Sequence, residues 1–158
     1  MTVCRPVSLA ALWVLWAALV GCAAGDPCAS GPSPSIELGE GDAAFEELTD
    51  PPSMELVFGP QGGVHLEVAV RGRGVPTQEG WAVALEGRLL GEVRASAPLT
   101  LVTPACSAEG SEVYGVRLIF DNGVALTELN DPLEISGTVT YVDGVAEDVV
   151  SGVMVVVP

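Results

Sequence analysis

Alternation of apolar and polar residues dominates the chain after its first few dozen positions. From His65 to Arg71, Leu66, Val68 and Val70 share one face, while His65, Glu67, Ala69 and Arg71 take the other. That period of two predicts a half-buried β-strand. Tyr114, Val116, Leu118 and Phe120 repeat the pattern opposite Val113, Gly115, Arg117 and Ile119. Leu133, Ile135, Val139 and Tyr141 form an inward face against Glu134, Ser136, Thr138 and Thr140; Asp143-Gly144 then begins a turn, and Val149 to Val157 is the last predicted strand. Trp81, Val83 and Leu85 lead through Glu86-Gly87 into Leu89, Gly91 and Val93, which predicts a hairpin turning at Glu86-Gly87. Shorter strands are expected at Ser35 to Leu38, Ala44 to Leu48, Met54 to Phe58 and Leu99 to Thr103. Helical periodicity is absent from this region. Roughly eight to ten short strands, each with one apolar face, predict an all-β domain: an antiparallel β-sandwich, with a jelly roll or small β-barrel as the alternative.

The amino terminus follows different rules. Arg5 is its only charge, Val7 to Val20 is an apolar run of 14 residues, and Gly21, Cys22, Ala23 and Ala24 follow. A membrane span needs about 20 apolar residues, so this run targets the chain for export and is then removed. Leu19, Val20, Gly21 and Cys22 stand in order at its end, and here the chain resembles a bacterial lipoprotein precursor. The resemblance implies cleavage before Cys22, diacylglycerol on the Cys22 thiol and acylation of the new amino group. It also implies an outer-membrane destination, because Ala23 rather than Asp follows the cysteine. Residues 1–21 are therefore expected to be a signal peptide, 22–34 a lipidated cysteine with a Pro, Gly and Ser-rich tether, and 35–158 the folded domain.

Cys4 would leave with the signal, so Cys28 in the tether and Cys106 in the domain are the two cysteines left besides the lipidated one. In an oxidising compartment two such thiols predict a disulfide, worth about 4 kcal/mol on the loop-entropy model. It would also pin the tether to the domain.

Composition narrows the partners. Hydrophobic residues make up 49% of the 158, enough for a real core, and the net charge is −15. Removing Arg5 with the signal makes it −16. So acidic a surface repels nucleic acid and anionic lipid head groups alike, which leaves acyl chains as the means of attachment. All six basic residues are Arg, and the absence of Lys removes Schiff-base and P-loop chemistry.

The most distinctive internal segment is Gly59-Pro60-Gln61-Gly62-Gly63-Val64-His65. With Ile36-Glu37-Leu38-Gly39 and Phe45 before it, it is similar to a set of uncharacterised secreted proteins and lipoproteins of Gram-negative bacteria, whose resemblance carries no activity. The closing segments, Leu133 to Val142 and Val149 to Val157, look like the last hairpin of immunoglobulin-like bacterial surface domains. Physically, Pro60, Gly62 and Gly63 make a tight turn feeding the His65 strand. His65 and Glu67 are the ligand candidates, with a hydrogen bond that fixes the turn as the plainer role. Transition-metal sites lack further imidazoles or thiolates. Asp121, Asn122 and Asp131 around one loop, and Asp143, Glu147 and Asp148 around another, offer oxygen ligands of the kind calcium takes, but match no EF-hand spacing and read as solvated acidic loops. No Gly-x-Ser-x-Gly elbow is present.

These features lead to a lipid-anchored cell-envelope binding module, meeting an envelope protein or glycan and no nucleic acid. A structural or assembly lipoprotein serving a larger envelope complex is the second reading, and a small periplasmic hydrolase the third. No cofactor and no catalytic residue is expected. Labelled palmitate is expected to enter the wild-type chain and not Cys22→Ser; equal labelling of both removes the lipoprotein reading.

Overall fold

In a computed structural model the described residues are Cys28, 33–60, 63–122 and 124–158. The expected signal peptide, positions 22–27 and 29–32 of the tether with Cys22 among them, Gln61-Gly62 and Gly123 lie outside them. The described chain is all-β. Its strands are β1 (Ser35–Glu40), β2 (Ser53–Glu55), β3 (Val57–Phe58), β4 (Val64–Arg73), β5 (Trp81–Leu89), β6 (Glu92–Val102), β7 (Ala105–Cys106), β8 (Ser111–Phe120), β9 (Leu133–Tyr141) and β10 (Gly144–Val156), with a 3-10 helix at Leu126–Asn130.

All ten strands join one sheet in the order β1-β4-β8-β6-β5-β9-β10-β2, with β3 also on β4 and β7 also on β8. The mixed sheet forms a barrel-like sandwich in which β6 links β8 to β5. β6 pairs with β5 along most of its length and touches β8 only at Ala95↔Phe120 and Ser96↔Ile119. The sheet nearly closes on itself, because the segment that opens the domain serves both edges. β1 runs antiparallel to β4, whereas β2 runs parallel to β10. That parallel pair departs from the purely antiparallel expectation. Between β1 and β10, the Leu38 amide donates to Asp148 Oδ2 at 3.0 Å.

The core lies between the layers. Trp81, Leu66, Leu85, Leu118, Leu133, Ile135 and Val139 are fully buried there, and Trp81 Nε1 is satisfied by the Pro76 carbonyl at 2.8 Å. The inward faces predicted for β4 and β9 are those observed; on β8 Val116, Leu118 and Phe120 point inward as predicted, but the register shift between Val68 and Val70 puts Val113 in the core and leaves Tyr114 with Glu112. Other expectations differ as well. The β5–β6 turn falls at Leu90-Gly91, whose φ angles of 52° and 84° are left-handed, and not at Glu86-Gly87. Gly87 is there for room: a Cβ would lie 3.1 Å from Ala95 Cβ and 3.2 Å from Leu118 Cδ2. Ala44 to Leu48 forms a single bridge, Glu40↔Glu46, and crosses over the sheet instead of extending it. That crossing seats Phe45 and Glu47 against Arg71, and with His65 and Ala69 also buried β4 is covered on both sides along most of its length, where alternation predicted one solvated face. Met54 to Phe58 breaks at Leu56, which is buried, and Leu99 belongs to the one long strand β6.

Gly137 lies under Leu38, at the seam between β1 and β9. A Cβ there would sit 2.6 Å from Leu38 Cδ2 and 3.2 Å from Leu85 Cδ2. Gly137→Ala is expected to destabilise the domain by about 1–3 kcal/mol in urea unfolding, as overpacking does, and adding Leu38→Ala is expected to cost less than the sum of the two single changes.

Candidate functional site

His65 and Glu67 stand two residues apart on β4, on the same face. His65 Nε2 meets Glu67 Oε1 at 2.9 Å, and Arg117, opposite Glu67 on β8, reaches the same oxygen through Nε at 3.4 Å. One carboxylate thus holds an imidazole and a guanidinium. The three line a cleft of about 460 Å³ whose opposite wall is apolar: Val57, Phe58 and Ile119. Phe58 is 52% exposed, large for a phenyl ring, and it also walls a second cleft of about 250 Å³ with Val124 and Leu126. Ile119 and Leu126 are themselves 46% exposed. The result is an apolar strip centred on Phe58 and rimmed by Arg117, His65, Asp121 and Asn122.

The cleft sets this polar trio against an apolar wall. Among the described residues lining the larger cleft there is no Ser, Thr, Cys, Lys or Tyr to act as nucleophile. The hydrogen bond of His65 goes to Glu67 along its own strand, where the sequence predicts one that fixes the preceding turn.

A neighbouring cleft of about 580 Å³ is acidic, lined by Glu40, Asp42, Glu46, Glu55 and Glu67. Its carboxylates are partly spent on the backbone, as where Glu40 Oε1 accepts from the Glu55 amide at 2.8 Å. Among the described residues no three His, Cys, Asp or Glu converge as a metal-binding group. The calcium candidates are accordingly not brought together. Asp148 uses both oxygens on the amides of Leu38 and Val149, while Asp121, Asn122, Asp131, Asp143 and Glu147 are solvent-exposed.

The strongest polar cluster is one that alternation alone conceals. Arg71, 6% exposed, lies opposite Glu112 in the β4–β8 ladder and donates from Nε to Glu112 Oε1 at 2.8 Å. Tyr114 donates its hydroxyl to the other oxygen, Glu112 Oε2, at 2.7 Å. Arg71 Nη1 lies 2.7 Å from Glu109 Oε2 and 3.6 Å from Glu47 Oε1, ionic contacts without hydrogen-bond alignment, and the guanidinium stacks 4.0 Å from the Phe45 ring centroid. The cluster is joined to the disulfide. Cys28 and Cys106 are bonded, with Cα atoms 5.7 Å apart, and β7 places Cys106 and Ala105 opposite Ser111 and Glu112. The expected pairing of Cys28 with Cys106 is therefore the one observed.

Burial opposes ionisation of Glu112, but hydrogen bonds from Tyr114, Arg71 and Ser107 and the charge of Arg71 outweigh it and hold the carboxyl below its ordinary 4.5. For Arg71 burial is likewise outweighed, by Glu112 and Glu109, and its pKa rises. The bond to Glu112 raises Tyr114 above 10.0, with burial adding to it. A lowered carboxyl contributes stability that is present above its ordinary value and lost as pH falls through the lowered one. Acidification below 4.5 is therefore expected to cost the wild type more stability than it costs Glu112→Gln. At neutral pH, Arg71→Ala is expected to cost about 3–5 kcal/mol by stranding a buried carboxylate, against no more than about 1 kcal/mol for the exposed Arg73→Ala. Thermal and urea denaturation across pH checks both.

Comparison of the chain with protein-family models, with curated proteins and with solved structures finds no match to any of them.

Proposed function

We propose that this protein is a lipid-anchored binding module of the bacterial cell envelope, held by acyl chains on Cys22 at the outer membrane, and that it engages an envelope protein or glycan through the strip around Phe58. The observation that carries the reading is the half-exposed Phe58 ring standing between two clefts, one of which also offers a guanidinium and a carboxylate. A domain with a well-filled core has no folding reason to leave phenylalanine, isoleucine and leucine side chains half in water at one end; clustered exposure of this kind marks contact surfaces. The Cys28–Cys106 disulfide supports an oxidising compartment.

The assembly-accessory reading draws on a different face. Leu101, 82% exposed, continues in register through Ala82 and Thr140 to the exposed Val145 across β6, β5, β9 and β10, giving a flat row of small and apolar side chains. The hydrolase reading has only His65 with one carboxylate, and no nucleophile beside them among the described residues.

A photoreactive amino acid in place of Phe58, in cells carrying the full chain, is expected to give one discrete cross-linked species that Arg117→Ala weakens. The same probe in place of Gln78, at the opposite end of the domain, is expected to give none. Adducts of the same pattern from both positions remove the Phe58 strip as the contact surface, and a discrete species from a probe at Leu101 alone favours the accessory reading.

A further inference from the structure

The ladders fix which loops share an end of the barrel. Ser35 lies opposite Arg73, Gly72 opposite Ser111, Ser111 opposite Cys106, and Trp81 opposite Val102. Loops 74–80 and 103–110, together with the turn at Val142-Asp143, therefore lie at the end that carries Cys106. His65 is opposite Ile119 and Leu89 opposite Glu92, so Phe58, its clefts and the Leu90 turn lie at the other end. From Ser111 to Phe120 at about 3.3 Å per residue, the two ends are roughly 30 Å apart.

Chain length then decides how the domain can stand. With Cys28 bonded to Cys106, the only free chain between the lipidated cysteine and the barrel runs from Cys22 to Cys28, at most about 21 Å when fully extended. Without that bond the free chain would run from Cys22 to Ser35, up to about 45 Å. The shorter reach is less than the barrel's length and the longer one exceeds it. Only with the disulfide is the inverted placement, Phe58 end down, out of reach.

We propose that the Cys28–Cys106 disulfide orients the domain on the bilayer, with the Cys106 end toward the lipid and the Phe58 end facing away from it. This rests on the lipid-anchor reading of Cys22. It gives the disulfide a role beyond closing a loop: by tying the tether to β7 it fixes the point from which the barrel hangs. The Phe58 strip then meets partners in the aqueous space or on a facing surface, and the bilayer that carries the anchor is not among them.

The test uses the full chain, lipidated in its host, purified and reconstituted in phosphatidylcholine vesicles containing an acceptor-labelled lipid. A donor dye is attached through a clickable amino acid in place of either Gln78 or Leu90, both exposed. Energy transfer is expected to be several-fold greater from position 78 than from position 90. A Gly-Ser insert between Ala24 and Gly25 that doubles the leash, leaving the domain and its disulfide unchanged, is expected to erase most of the difference, as is Cys28→Ser with Cys106→Ser. Equal transfer from the two positions in the wild type, or a difference that survives the insert, overturns the orientation. A chain that fails to float with the vesicles overturns the lipid anchor, and the orientation with it.

Discussion

A sheet this long must do something with its two edges, and the segment from Ser35 to Phe58 does it twice. β4 and β10 would otherwise each present a long unpaired flank, the kind of edge that recruits other chains. β1 covers the later half of β4, β3 covers its start, and β2 lies along the end of β10. Where β1 and β10 face each other without a ladder, the Asp148 carboxylate supplies an acceptor that a strand would have supplied. One stretch can serve opposite edges only if it crosses the barrel between them. That crossing is what buries Leu56, seats Phe45 against Arg71, and leaves Phe58 at the rim.

The site is thus a by-product of closure. β3 is two residues long because the chain has to leave the end of β10 and reach the start of β4 in a few steps. Val57 and Phe58 fall at the point where this bend meets the His65 strand, and β8 adds Arg117 and Ile119 from the far side. The polar trio is held by its own bonds: Glu67 is shared between His65 and Arg117, so neither side chain needs an external partner for its position. Fixed polar groups beside a hydrophobic wall bind with little ordering cost.

How much of this the sequence discloses depends on whether a residue answers to one neighbour or to several. The inward faces of β4 and β9 were legible because each depends only on the pleat, whereas on β8 the irregularity opposite Val68 and Val70 exchanges Tyr114 for Val113. Cys28 and Cys106 were legible by elimination. Gly87 misled because glycine marks turns and close packing alike, and only the facing Ala95 and Leu118 tell which. Arg71 and Glu112 were hidden for a related reason: alternation placed Arg71 on an outer face, and nothing local reveals that residues 41–47 will cover it. A charged residue in a strand whose outer neighbours include Ala69 was the available hint. His65 and Glu67 could be paired as candidates because they are local, two residues apart on one face, whereas Arg117 joined them only through the β4–β8 register, and Phe58 became a surface feature only through the break at Leu56.

The distribution of charge carries the argument one step further. Every arginine beyond Arg5 is engaged by a glutamate: Arg71 by Glu112 and Glu109, Arg73 by Glu37, Arg88 by Glu86, Arg94 by Glu128, and Arg117 by Glu67. The chain's few cations are therefore committed to holding strands and loops together, and the excess of acids that makes the net charge −15 is what the surroundings meet. Such a surface keeps its distance from anionic head groups and from other copies of itself. On the lipid-anchored reading proposed above, contact comes from elsewhere, from acyl chains on the membrane side and from apolar side chains on the partner side. Among the described residues, the end of the barrel opposite Cys106 is where Phe58, Ile119 and Leu126 stand together in water, with Arg117 the one cation beside them, two-thirds exposed and tied to Glu67 by a single long bond.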